Sequence, residues 1–163
     1  MVINRQRRVK VDLTSVRGFA GQLRFVLRLG KREFNVCLVD DAEIKRLNAI
    51  FRDRARSTDV LAFGWRLQEK GRSRRLSDSE FGGHLGDVAI SAETARRNAI
   101  RLGHSTAAEI KLLILHGVLH LLGYDHEVDC GEMRALEQSL MMRLGGRRAM
   151  LDREDATRQK SRK

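Results

Sequence analysis

The stretch that most restricts how this chain can fold runs from Leu112 to His126, reading Leu-Leu-Ile-Leu-His-Gly-Val-Leu-His-Leu-Leu-Gly-Tyr-Asp-His. It holds three of the chain's five histidines, His116, His120 and His126, in a run too apolar to tolerate unpartnered imidazoles cheaply. Burying such a ring without a partner costs roughly 1 to 3 kcal/mol, so three in one run point to a shared ligand. His116 and His120 are four apart, which on an α-helix places them on one face about a turn apart, able to grip a single ion. Gly123 then ends the helix, because glycine accepts the left-handed conformation that closes a C-terminus, and the turn can carry His126 back towards the pair. Three imidazoles with a fourth position left to water form the catalytic rather than the structural zinc pattern. One Zn²⁺ per chain is the expectation, at the end of a central helix.

The spacing H-x3-H-x2-G-x2-H matches the metzincin peptidase pattern except that the residue after the first histidine is Gly117. A metzincin uses a glutamate there as general base. The ligand cage survives without it, and the peptidase chemistry does not.

Net charge bears on the partner. The total of +11 is concentrated at the ends. Residues 1–35 carry nine Lys/Arg against two acids, residues 145–163 carry seven against three, and the middle of the chain is neutral overall. Within that middle, Lys45 to Arg75 still holds ten basic residues against three acidic ones. Basic surfaces of this kind favour a polyanion, and nucleic acid is the commonest in the cytoplasm. No apolar signal-like run follows Met1, and the Leu112 to Tyr124 stretch is too short and too histidine-rich to span a bilayer. A cytoplasmic protein with no membrane partner is therefore expected, its two cysteines, Cys37 and Cys130, reduced rather than bridged.

Periodicity gives the architecture. Arg8 to Leu13, Phe34 to Val39, Asp59 to Phe63 and Leu85 to Ser91 read as strands. Helices are expected after a Thr14 or Ser15 cap, after Asp40 and Asp41 through Ile44, Leu47, Ile50 and Phe51, after Ser91 through Ala95, Ala99 and Ile100, from a Thr106/Glu109 capping box into the histidine pair, and over Glu132 to Leu144. Residues 64–84 lack any period and read as a mobile loop. These elements predict an α+β layered fold, a small mixed sheet of about four strands covered by about five helices. Residues 1–144 form a single catalytic metal-binding domain in this reading, and 145–163 a disordered basic tail.

The segment His116-Gly-Val-Leu-His120-Leu-Leu-Gly-Tyr-Asp-His126 resembles the HGxLHLxGYDH signature of the YbeY family of metal-dependent endoribonucleases. Leu47-Asn48 with Phe51-Arg52, followed by Thr58-Asp-Val-Leu-Ala-Phe63, resembles a second block of that family, and Leu85-Gly-Asp-Val-Ala-Ile-Ser91 a third. The eleven-residue signature is specific. The other two blocks are weak alone. Ser57, Ala62 and Gly64 depart from the second block, where the family commonly has proline, serine and proline. The resemblance implies zinc on His116, His120 and His126, an arginine important for RNA cleavage at Arg52, and action on single-stranded RNA in 3′ end maturation of small-subunit 16S rRNA and ribosome quality control.

Zinc chemistry and an arginine suit phosphodiester cleavage, since negative charge gathers on phosphoryl oxygens that a guanidinium can meet with two parallel hydrogen bonds. Arg52 is the candidate clamp, and Arg54 and Arg56, alternating in the same polar stretch, are candidates to hold RNA backbone. Asp125, beside His126, suits orienting a ligand imidazole, accepting a proton or capping the turn after Gly123. Two rival readings stand beside the nuclease, a zinc peptidase with its base elsewhere and a non-enzymatic ribosome-assembly factor with structural zinc.

Overall fold

The computed structural model describes residues 1–64, 66–69, 72–75, 83–124 and 131–145, the segments 66–69 and 72–75 by their backbone alone. Among the described residues the elements follow as β1 (Val2–Asn4), α1 (Leu13–Val26), β2 (Glu33–Val39), α2 (Asp41–Arg52), β3 (Val60–Gly64), β4 (Arg66–Glu69), β5 (Arg72–Arg75), β6 (His84–Ser91), α3 (Ala92–Leu102), α4 (Thr106–Leu122) and α5 (Glu132–Arg143). The main sheet has the order β1-β2-β6-β3, with β1, β2 and β6 parallel and β3 antiparallel on β6.

Side chains alternate across a strand, and each face of the sheet has its own cover. Val36, Leu38, Val88 and Ile90 point to one side, where they join Val16 and Leu23 of α1, Leu113 and Val118 of α4, and Met133 and Met141 of α5. On the other side Val39, Leu61 and Ala89 meet Ile44 of α2, with Cys37, Leu47 and Phe63 packed around them. The result is the α+β arrangement expected, a four-stranded mixed sheet between helices. Helix α4 is the centre of the larger layer, with ten of its seventeen residues buried. No single helix among the described residues is long and apolar enough to cross a membrane. Cys37 is a free thiol whose pKa burial pushes up.

The sequence periods place β2, β3 and β6 within a residue or two of their observed bounds, and Asp40 and Ser91 cap α2 and α3 as expected. Five expectations need correction. Arg8 to Leu13 is not a strand, since β1 lies at Val2–Asn4 and α1 begins at Leu13. Gln6 explains the difference: its Oε1 accepts from the Val9 N–H at 2.8 Å and its Nε2 donates to the Val9 carbonyl at 3.0 Å. One buried side chain thus satisfies both backbone groups that a neighbouring strand would have paired. The α1 cap is Asp12, accepting from Ser15 N, rather than Thr14 or Ser15.

The α4 cap is Ser105, accepting from Ala108 N at 3.1 Å, so Thr106 and Glu109 form no capping box. Glu109 is fully buried instead, its Oε2 3.2 Å from Nε2 of His104. Residues 64–84, expected as a loop, contain β4 and β5 paired antiparallel with Arg66 opposite Arg75. Their strands are polar, so no apolar period announces them. The remaining residues of that stretch, 65, 70–71 and 76–82, lie outside the described residues, as does 146–163, which holds all but the first residue of the expected tail. Finally Ile50, Phe51 and Ile100, on helical apolar spacing, are all more than half exposed.

One polar cluster locks the two helix starts beside the sheet's C-terminal edge. Asp41 Oδ1 accepts from Ser91 Oγ and from Thr94 Oγ1 at 2.8 Å, its Oδ2 pairs with Arg97 at 2.8 Å, and its backbone N–H donates to Glu93. Burial pulls the Asp41 pKa up, but the hydrogen bonds from Ser91, Thr94 and Arg97, with the Arg97 charge, outweigh it and hold the carboxyl below its ordinary value of 3.8. A folded-state pKa below the unfolded one means that the stabilisation is complete above the unfolded value and disappears as pH falls through the folded one. Asp41→Asn should therefore unfold at lower urea than the wild type at neutral pH, and the gap should narrow once the pH drops below 3.8. A gap of the same size on both sides of that value contradicts the assignment.

Candidate metal centre

Helix α4 ends where its sequence demands. Gly123 adopts φ 102°, its N–H donates to the His120 carbonyl at 3.0 Å, and the Tyr124 N–H donates to Leu119 at 3.1 Å. These are the two bonds of a Schellman closure, which only a glycine reaches without strain. The last turns before it carry His116 and His120, both half-buried, with ring centroids 4.6 Å apart and planes at 76°.

The two rings converge through one kind of nitrogen. Nε2 of His116 and Nε2 of His120 are 3.1 Å apart. A tetrahedral Zn²⁺ with bonds of about 2.0–2.1 Å holds two nitrogens about 3.3 Å apart, so the pair is already set at nearly the spacing one ion requires. On its other side, Nδ1 of His116 lies 2.7 Å from Oε1 of Glu137 on α5. An ionised carboxylate only accepts, so Nδ1 carries the proton and the His116 lone pair is left on Nε2, facing His120. This donor set fits a metal bound through imidazole. His126, the third expected ligand, lies outside the described residues with Asp125 and Cys130. Among the described residues no three His, Cys, Asp or Glu side chains gather into a metal-binding group.

Position 117 has no room for a glutamate base of the metzincin kind. A Cβ built at that position would stand 2.5 Å from Cγ1 and 3.0 Å from Cγ2 of Val88, a fully buried β6 residue. Helix and sheet touch there through bare backbone. The glutamate of a metzincin would have to occupy the space that Val88 fills.

Arg52 is brought to a different element. It is the exposed last residue of α2, on the sheet face opposite α4. Asp53 follows at φ 53° and turns the chain into the exposed segment that carries Arg54 and Arg56. Asn48, buried on α2, fixes that segment: its Nδ2 donates to the Arg56 carbonyl at 2.8 Å and its own carbonyl accepts from Asp53 N and Arg54 N. Beside Arg52, the Phe51 ring is 60% exposed and stands edge-on to Phe63 at 5.1 Å. Phe63 is followed by Gly64 at the end of β3, whose sheet partner Gly86 lies so close under Leu121 of α4 that an added Cβ would meet Leu121 Cδ2 at 2.8 Å. The end of β3 and the start of β6 thus lie between the arginine segment and the last turn of the histidine helix.

Two of these residues carry no role in the sequence reading, Asn48 and Glu137. Glu137 does leave a trace, because it falls midway between Met133 and Met141, which are buried and lie on the same helix face at spacings of four. An acid on an apolar stripe asks for a partner.

A family described as Endoribonuclease YbeY matches residues 2–145. The chain is 44% identical over 116 residues to the Endoribonuclease YbeY of Nautilia profundicola, covering 71% of this chain and 75% of that one. It is 38% identical over 148 residues to that of Aquifex aeolicus, covering 88% and 91%. The solution structure of a Thermotoga maritima protein superposes with a TM-score of 0.59 at 25% identity, covering 90% of both chains.

Because α4 meets β6 without a side chain at residue 117, Gly117→Ala should destabilise the protein by about 1 to 3 kcal/mol, despite the better helix propensity of alanine. Adding Val88→Ala makes room for the new methyl. In urea denaturation the double variant should lose clearly less than the two single losses combined. Simple additivity would show that the close approach is not what the glycine is for.

Proposed function

The chain belongs to the YbeY endoribonuclease family, and on that footing we propose that it is a zinc-dependent, single-strand-specific endoribonuclease of the cytoplasm that matures the 3′ end of small-subunit 16S rRNA and serves ribosome quality control. The observation that carries the metal part of this reading is the 3.1 Å approach of the His116 and His120 Nε2 atoms, with His116 turned by Glu137 so that its lone pair faces inward. His116, His120 and His126 hold one zinc ion per chain. Zinc at such a site supplies Lewis acidity towards a phosphoryl oxygen and brings water to a pKa of about 7.

The remaining work belongs to the chain's own residues. Arg52 meets the charge that develops on the phosphoryl oxygens, and Arg54 and Arg56 hold flanking backbone phosphates. Asn48 makes those contacts inexpensive in entropy by fixing the segment before RNA arrives. The exposed Phe51 ring, steadied by Phe63, offers a surface on which an unpaired base can stack, which favours single strands over duplex. The closed space at Gly117 speaks against the peptidase reading.

The test is single-turnover cleavage of an RNA spanning the small-subunit 3′ end, at RNA concentrations that saturate each protein. Wild type should cut, lose activity on chelation and regain it with zinc. Arg52→Ala should keep its fold and zinc but cut about 10² to 10³ more slowly, the usual cost of one donor aimed at developing oxyanion charge. Lysine at the same position should restore only part, since it keeps the charge and loses the paired geometry. Wild-type cleavage by Arg52→Ala would remove the catalytic role, and cleavage untouched by chelation would remove zinc.

A further inference from the structure

We propose that Glu137 is a positioning residue that sets the metal affinity of the histidine site from the neighbouring helix. The inference rests on the zinc reading above and extends it to a residue outside the three-histidine motif. Helix α5 presents Met133, Glu137 and Met141 along one stripe, and the two methionines are 1% and 2% exposed in the main core. Glu137 is therefore carried towards α4 by the packing of its own helical neighbours. Its side chain is 18% exposed and that of His116 23%, so solvent screens their contact only weakly.

At 2.7 Å the contact has the length of a charge-assisted hydrogen bond, short for nitrogen and oxygen. Two consequences follow for His116. The proton is held on Nδ1, so the tautomer with a protonated Nε2, which cannot bind a cation, is suppressed. The ring's rotation is also fixed, which keeps Nε2 within 3.1 Å of its counterpart on His120. A carboxylate behind a ligand imidazole further raises the basicity of the nitrogen that faces the metal.

A purely structural link between α4 and α5 would use the same contact, and the two roles separate by measurement. Zinc affinity is read by competition with a chromophoric chelator for wild type, Glu137→Ala and Glu137→Gln. Thermal unfolding of each metal-free protein is recorded in parallel, and the His116 tautomer is read from imidazole ¹⁵N shifts. Glu137→Ala should bind zinc about 10- to 100-fold more weakly while remaining folded, with the Nδ1–H tautomer of His116 no longer dominant. Glu137→Gln, which keeps an acceptor oxygen without the charge, should lose less, and it carries the test if the alanine variant does not fold. Wild-type affinity in the folded variants would overturn the proposal, as would an affinity loss no larger than the loss of folded protein. A wild type that binds no zinc would instead overturn the metal reading itself, and the proposal with it.

Discussion

The contact between Gly117 and Val88 is the constraint on which the rest of this molecule depends. A helix as apolar as α4 must be buried nearly all round, and it can lie this close to β6 only where its own surface is bare backbone. That approach fixes the depth of the helix in the layer. His116 and His120, one residue before and three after the glycine, inherit their position from it and emerge where the helix leaves the core. Gly86 repeats the device one strand register away, admitting Leu121 against the junction of β3 and β6. The site is thus seated by two places where side chains are absent.

Polar side chains do the complementary task of fixing backbone and rings inside or beside that core. Gln6 satisfies Val9, Asn48 satisfies the Arg56 carbonyl, Asp41 joins the starts of α2 and α3, and Glu137 holds His116. Each would be costly in a dry interior if left alone. Each instead determines one local conformation, and two of them prepare the surfaces that the proposed chemistry uses.

How much of this was legible in the sequence follows from the range of each signal. The histidine pair, Gly123, and the caps at Asp40 and Ser91 are local patterns with a fixed period, and all are found where they were expected. The strands β2, β3 and β6 are runs of branched and apolar residues with the same advantage. What escaped was either too short or non-local. β1 has three residues, and the alternation at Arg8 to Leu13 is satisfied by a glutamine rather than a strand. The ribbon β4/β5 carries a single apolar residue, Leu67, so it leaves no hydrophobic period. Ser105 and Thr106 are both competent caps, and sequence alone does not choose between them. Glu137 lies twenty-one residues from His116, and nothing in a helical period announces that contact. Arg52 is legible as a candidate clamp from its chemistry, but that α2 packs on the other face of the sheet is a fact of topology.

In the proposed function the converging imidazoles of α4 hold the ion around which an RNA-cleaving site is built. The most direct measurement is elemental analysis of purified wild type beside His120→Ala, with folding of both verified by circular dichroism. Wild type should carry one zinc per chain and the variant far less, because one of the two facing Nε2 atoms is gone. Equal metal in the two proteins would contradict this assignment.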